Sequence, residues 1–197
     1  MFWRGGGTKM KSTGTAGAIR AISFAAIATS AGAAAAQYRP LPRFVTPHAI
    51  KQAGVAQRLL AAHNFERRAM GVQPLTWDPA LAGGAAAYAR QLAATGTFQH
   101  SDRRFRRGIG ENLWTGTRGA FSPEWMIGNW ASEKRWYQAG TFPNVSRTGR
   151  WNQVGHYTQI IWRGTTKVGC AIATARGRDV LVCRYSPSGN VDGRRVS

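Results

Sequence analysis

The stretch KVGCAIATARGRDVLVCRY, residues 167–185, holds the chain's two cysteines, Cys170 and Cys183, in two β-prone runs. If residues 167–174 and 179–185 pair as antiparallel strands with Cys170 opposite Cys183, then Ala175 faces Arg178 and only Arg176-Gly177 is left over. A two-residue loop ending in Gly suits a tight hairpin turn, so turn chemistry and disulfide register agree. The alternatives are two free buried thiols or a metal pair. An oxidising compartment argues against both.

Upstream, His156-Tyr157-Thr158-Gln159-Ile160-Ile161-Trp162 is β-prone and reads as a further strand opened by His156, after a loop over residues 141–152 rich in Pro, Gly, Asn, Ser and Thr. Three helices precede it. Ser122-Pro123-Glu124 is a start signal, and Trp125, Asn129, Trp130, Glu133, Trp136 and Tyr137 then recur at three- and four-residue steps. Asp78-Pro79 starts another, with Leu81, Ala85, Tyr88, Ala89 and Leu92 as its stripe and Gly96 beyond its end. The first runs from about His48 to Met70 on Ile50, Val55, Leu59, Leu60 and Phe65, with Gly71 placed to stop it. Helices followed by strands predict an α+β domain in which helices cover a mostly antiparallel sheet.

Residues 1–36 carry Arg4, Lys9, Lys11 and Arg20 but no acid, then an apolar run from Ala21 to Ala31, then small residues from Ala33 to Ala36. That order predicts a secretory signal peptide cleaved near Ala36/Gln37, with Met10 an alternative start. The apolar run is short of the roughly 20 residues a membrane span needs. Residues 37–47, with Pro40, Pro42 and Pro47, read as an extended arm, and residues 48–197 as one domain, secreted or periplasmic. A hydrophobic fraction of 43% and 8 Trp exclude a disordered chain. The formal charge is +19; with the leader's four basic residues removed, 23 Lys and Arg face 8 Asp and Glu, a balance of +15. Anionic partners are favoured, although a GC-rich genome would impose the same Arg-rich bias.

Four residues carry the chemistry. His100 follows Phe98-Gln99, Glu111 follows Gly108-Ile109-Gly110, Glu133 falls on the aromatic stripe, and His156 opens the last run before the hairpin. Burying two carboxylates costs several kcal/mol unless they are paired or ligate something. Two imidazoles and two carboxylates can hold a divalent metal, a Glu beside a His can act as a general base, and a buried polar network can simply knit helices to sheet. No H-E-x-x-H motif decides between them. The run Arg103-Arg104-Phe105-Arg106-Arg107 reads either as a solvated loop or as a rim that steers anionic groups.

The motifs His63-Asn64-x-x-Arg67, Pro74-Leu75-x-Trp77-Asp78, Phe98-x-His100-Ser101, Gly110-Glu111-Asn112-Leu113 and Trp130-x-x-Glu133-x-x-x-Tyr137 occur in order. They are followed by residues 155–162, by Val168-Gly169-Cys170-Ala171 and by residues 183–190, CRYSPSGN. Together, over roughly residues 50–192, they resemble the CAP superfamily of cysteine-rich secretory, antigen 5 and plant pathogenesis-related 1 proteins. The resemblance implies a three-layer α-β-α sandwich with an open cleft holding His100, Glu111, Glu133 and His156. It implies that the histidines ligate a divalent metal, often zinc, that the glutamates line the site, and that Cys170 pairs with Cys183. The chain lacks the cysteine-rich C-terminal extension of some animal members, so channel regulation is not implied.

The function expected on this basis is a secreted, monomeric, non-enzymatic binding protein. Its cleft would take a metal and a lipid, a sterol-like ligand or an anionic cell-envelope component. The competing expectation is a metal-dependent hydrolase in which Glu111 or Glu133 activates water. Nucleic acid is disfavoured for an exported chain without a recognised motif.

Overall fold

The computed structural model describes residues 54–197, in the order α1 (Val55–Ala69), β1 (Thr76–Trp77), α2 (Pro79–Thr95), β2 (Gly110–Thr117), α3 (Pro123–Ala131), α4 (Gly155–Ile160), β3 (Lys167–Ala175) and β4 (Arg178–Ser186). The expected signal peptide, the arm and the expected first turn of the domain, residues 48–53, lie outside the described residues. No helix among the described residues is long and apolar enough to cross a membrane.

The stapled hairpin organises the sheet. β3 and β4 pair antiparallel with Cys170 opposite Cys183 and Ala175 opposite Arg178, and the two cysteines form a disulfide. Arg176 and Gly177 turn the chain at φ 53° and 72°, the paired positive angles that match a two-residue turn to strand twist. The sheet order is β1-β3-β4-β2; only the short β1 runs parallel to its neighbour. Helix α2 covers one face, packing Ala85, Ala89 and Leu92 against Leu113, Val180 and Val182. The other face is covered by α1, α3 and α4, which bury Leu59, Ile127, Trp130 and Ile160 with Leu181 and Tyr185. The result is a three-layer α-β-α sandwich.

Helix α2 follows its local signals closely. Asp78 accepts from the backbone N–H groups of Ala80 and Leu81, Pro79 occupies the first turn, and Gly96 ends the helix at φ 75°. The other helices correct the sequence reading. The stripe assigned to the first helix faces the core only in part: Leu59 is buried and Leu60 packs against the core, whereas Val55 and Phe65 are 49% and 62% exposed. Beside Leu59 that helix buries His63, Glu66 and Arg67, because its polar groups find partners inside. The third helix starts at its Ser122 cap as read, but the α-helix stops at Ala131 and continues as a 3-10 turn over Ser132–Trp136. Its aromatic residues therefore split: Trp130 is buried, whereas Trp125 and Trp136 lie at the surface.

The largest correction concerns residues 156–162, read as a strand and found as α4. Distant side chains satisfy both ends of this short helix. At its start, Glu133 Oε2 accepts from the backbone N–H of His156 (3.0 Å) and of Tyr157 (3.1 Å). At its end, Arg67 Nη1 donates to the carbonyls of Ile160 (2.8 Å) and Trp162 (2.9 Å). Such capping of orphan backbone groups outweighs the weak β-propensity of the run.

His63 is fully buried and spends both ring nitrogens: Nδ1 donates to the Leu59 carbonyl and Nε2 accepts from the Tyr185 hydroxyl, each at 2.8 Å. Burial holds its pKa down to about 4 and the ring neutral. The unfolded chain therefore binds the extra proton first as pH falls. Stability should be undiminished by this group above about pH 6.5, then fall by about 1.4 kcal/mol per pH unit until about pH 4. Denaturant melts of wild type and His63→Gln between pH 7 and 4 check this; equal slopes in both would contradict it.

Candidate functional site

The four sequence-predicted residues form two His–Glu pairs, both reached from edge strand β2. On the α2 side, His100 Nδ1 lies 3.0 Å from Glu111 Oε1. Tyr88 anchors the segment before this histidine by donating its hydroxyl hydrogen to the Gln99 carbonyl at 2.7 Å. Glu111 is wholly buried as a side chain and also accepts from Ser101 N (2.9 Å) and Ser101 Oγ (2.8 Å), while Arg106 and Arg184 approach within 3.8 and 3.6 Å. Burial by itself would raise its pKa, but the hydrogen bonds from His100 and Ser101, with the Arg106 charge, hold the carboxyl below its usual range.

On the opposite side, His156 opens α4 with Nδ1 2.6 Å from Glu133 Oε1. The Trp130 indole stacks on its imidazole at 5.8 Å between centroids and 10° between planes, held by its own hydrogen bond to the Leu113 carbonyl. The pairs are linked through consecutive residues of β2. Glu111 faces His100, and Asn112, on the other face, donates to the His156 carbonyl (3.1 Å) and to the Tyr185 hydroxyl (3.2 Å). Thus the buried His63–Tyr185–Asn112 chain ends on the backbone of His156.

An Nδ1 opposite a carboxylate carries the ring proton, which leaves the lone pair of a neutral imidazole on Nε2. Neither His100 nor His156 spends its Nε2 on a hydrogen bond among the described residues. Half of the His100 side chain and a third of that of His156 are exposed. Such an Nε2 is the kind of donor a divalent metal takes, and each Glu stands in the position from which carboxylates orient ligating histidines. The carboxylates themselves are committed, to three donors on Glu111 and three on Glu133. The only group of three or more His, Cys, Asp or Glu donors gathered closely enough to hold a metal among the described residues is His63 with Cys170 and Cys183, within 4.8 Å of one another; it has no free ligand atom, since the sulfurs are bonded to each other and both His63 nitrogens are occupied.

The profile of the cysteine-rich secretory protein (CAP) family matches residues 60–185. The chain belongs to the CAP family. Its relatives include pathogenesis-related protein 1A of Nicotiana tabacum, 38% identical over 151 residues that span 76% of this chain and 84% of that protein. The secreted protein RBT4 of Candida albicans is 35% identical over 149 residues, 73% of this chain and 38% of that one. Among solved structures, Na-ASP-1 superposes with a TM-score of 0.60 at 27% identity, covering 72% of this chain and 41% of that one. The crystal structure of NaASP2 with Zn2+ shares the fold, with a TM-score of 0.63 at 24% identity over 73% and 85% of the two chains.

Within this CAP domain, Ser101, Asn112, Trp130 and Arg184 have no site role in the sequence reading, which places Arg106 only in a basic run read as a solvated loop or a steering rim. The first two sit directly after His100 and Glu111 in the quoted motifs, and Trp130 lies on the aromatic stripe. The basic run is not one solvated loop. Asp102 pairs with Arg104 at 2.6 Å, and Arg106 turns inward to donate to the Ser101 and Ile109 carbonyls. Arg103, Phe105 and Arg107 remain outside, Phe105 at 81% exposure. Two grooves, of 430 and 250 Å³, run along α2 and the β3–β4 hairpin, and none of the four site residues lines them.

Proposed function

We propose that this CAP-family chain is an exported, monomeric, non-enzymatic binding protein. Its His100 and His156 imidazoles would hold a divalent metal through Nε2, and its leader, residues 1–36, would be removed on export. The observation that carries this reading is the shared construction of the two pairs: Nδ1 buttressed by a carboxylate, Nε2 left unspent. Two imidazole nitrogens suit zinc, and NaASP2, which shares the fold and whose crystal structure is one with Zn2+, supports that choice. When bound, zinc would act as a Lewis acid toward an oxygen ligand. Because both glutamates already accept three hydrogen bonds each, neither is a free base toward water, which favours binding over hydrolysis.

Glu133→Gln tests the orienting role. Loss of a carboxylate behind a ligating histidine typically lowers metal affinity about 10–100-fold, and that drop is expected in a zinc titration of the folded variant. Unchanged affinity would contradict the role.

The second ligand is a lipid or another anionic cell-envelope component, in keeping with the charge of the chain and with the exposed Phe105 between Arg103 and Arg107. Phosphatidylglycerol vesicles should bind wild-type protein, and Arg103→Gln with Arg107→Gln should weaken this several-fold. Equal binding by both would remove these arginines from the reading.

A further inference from the structure

The Arg184 side chain makes no hydrogen bond among the described residues. Its side chain is 14% exposed. Nε is the sole buried side-chain nitrogen or oxygen among the described residues without a hydrogen-bond partner. Nη1 and Nη2 also donate to none of the described residues; not being buried, they are open to solvent. A guanidinium this deep ordinarily spends most of its five N–H groups.

The surroundings are built around it. Its Cζ lies 5.9 Å from the Tyr88 ring centroid. One turn earlier on α2, a Cβ at Gly84 would stand 2.6 Å from Nη1, so the glycine makes the room in which the guanidinium lies. A glycine inside a helix is destabilising, and here it seats a cation. Glu111 meets that cation by charge only: its oxygens accept from His100 and Ser101, and Nε stands off at 3.6 Å, beyond hydrogen-bond reach. Arg106 crowds the same carboxylate at 3.8 Å. Two guanidinium charges against one carboxylate leave a positive excess beside the half-exposed His100.

We propose that Arg184, seated on Gly84 and Tyr88 and backed by Arg106, anchors an oxyanion subsite beside His100 that takes a carboxylate or phosphate group. A planar fork of unspent donors is the set that such groups accept bidentately. The subsite rests on the binding reading above for the source of its ligand, where it would seat the anionic end of an envelope component.

The test titrates full-length, chelator-treated protein with inorganic phosphate, acetate and short-chain phosphatidic acid below its micelle concentration. Calorimetry gives affinity, and the Arg184 Nε–H resonance gives the place of binding. Wild type should bind phosphate saturably with a shift of that resonance. Arg184→Gln should weaken binding at least tenfold, Gly84→Ala should weaken it by displacing the guanidinium, and the remote, exposed Arg118→Gln should leave it within twofold. Phosphatidic acid binding more tightly than phosphate marks a lipid headgroup as the source, and equal affinities mark the free anion; both support the subsite. No saturable phosphate or acetate binding, an unmoved Arg184 resonance, or equal weakening by Arg118→Gln would overturn it. If Arg184→Gln fails to fold, the wild-type resonance still decides. Zinc titration of wild type keeps the readings apart: saturable phosphate binding without zinc binding sinks the metal reading alone, and the reverse sinks the subsite alone.

Discussion

Arg67→Met is expected to cost about 4 kcal/mol of stability, a large share of the roughly 5–15 kcal/mol that holds a domain together. The Arg67 side chain is fully buried and is paired with no carboxylate among the described residues. It spends its N–H groups on four carbonyls: Gln73 at 2.7 Å, Ile160 at 2.8 Å, and Trp162 and Thr165 at 2.9 Å. Burial lowers its pKa to about 10, which leaves it charged at neutral pH. Methionine fills much of the space but donates nothing, so carbonyls at the end of α4 lose their partner at about 1–3 kcal/mol for each that stays dry. Chemical denaturation measures the loss, and amide exchange should show α4 opening first. A loss below about 1 kcal/mol would mean that water or another donor reaches these carbonyls.

The second large effect belongs to the metal. Replacing His100 and His156 together by Ala should lower zinc affinity by roughly a hundredfold or more, since losing even an orienting partner of a ligand costs about 10–100-fold. The variant takes one of three hydrogen bonds from each glutamate and the stacking partner from Trp130, so a modest loss of stability is expected and a melt checks that the protein under titration is folded. Competition titration against a zinc chelator reads the affinity. A change within threefold would show that zinc, if bound, sits elsewhere.

The elements legible in the sequence are those whose chemistry is local. The hairpin register follows from two cysteines and an Arg-Gly turn, and α2 follows from Asp78-Pro79 and Gly96, all within a few residues of the structure they specify. The α-β-α layering followed from the resemblance and from the helix–strand order. What escaped was decided at long range. Helix α4 reads as a strand because the groups that cap it, Arg67 and Glu133, lie 93 and 23 residues away from the backbone they serve. The buried face of α1 was read only in part for a related reason: apolar periodicity finds Leu59 but also selects Val55 and Phe65, whereas His63, Glu66 and Arg67 go inside because partners wait there.

The same distinction runs through the candidate site. Motif resemblance gathers His100, Glu111, Glu133 and His156 into one set. Spacing alone gives no sign that Glu111 serves His100 and Glu133 serves His156, nor that consecutive residues of β2, Glu111 and Asn112, reach one histidine each. Arg184 was invisible for another reason: its importance lies in contacts it does not make.

The central claim, that two carboxylate-buttressed imidazoles form the metal site, is tested most directly by X-ray absorption at the zinc edge on zinc-loaded wild-type protein. The claim predicts two imidazole nitrogens at roughly 2.0–2.1 Å, completed by light oxygen scatterers and with no sulfur at roughly 2.3 Å. A first shell without imidazole, or one containing sulfur, would contradict it.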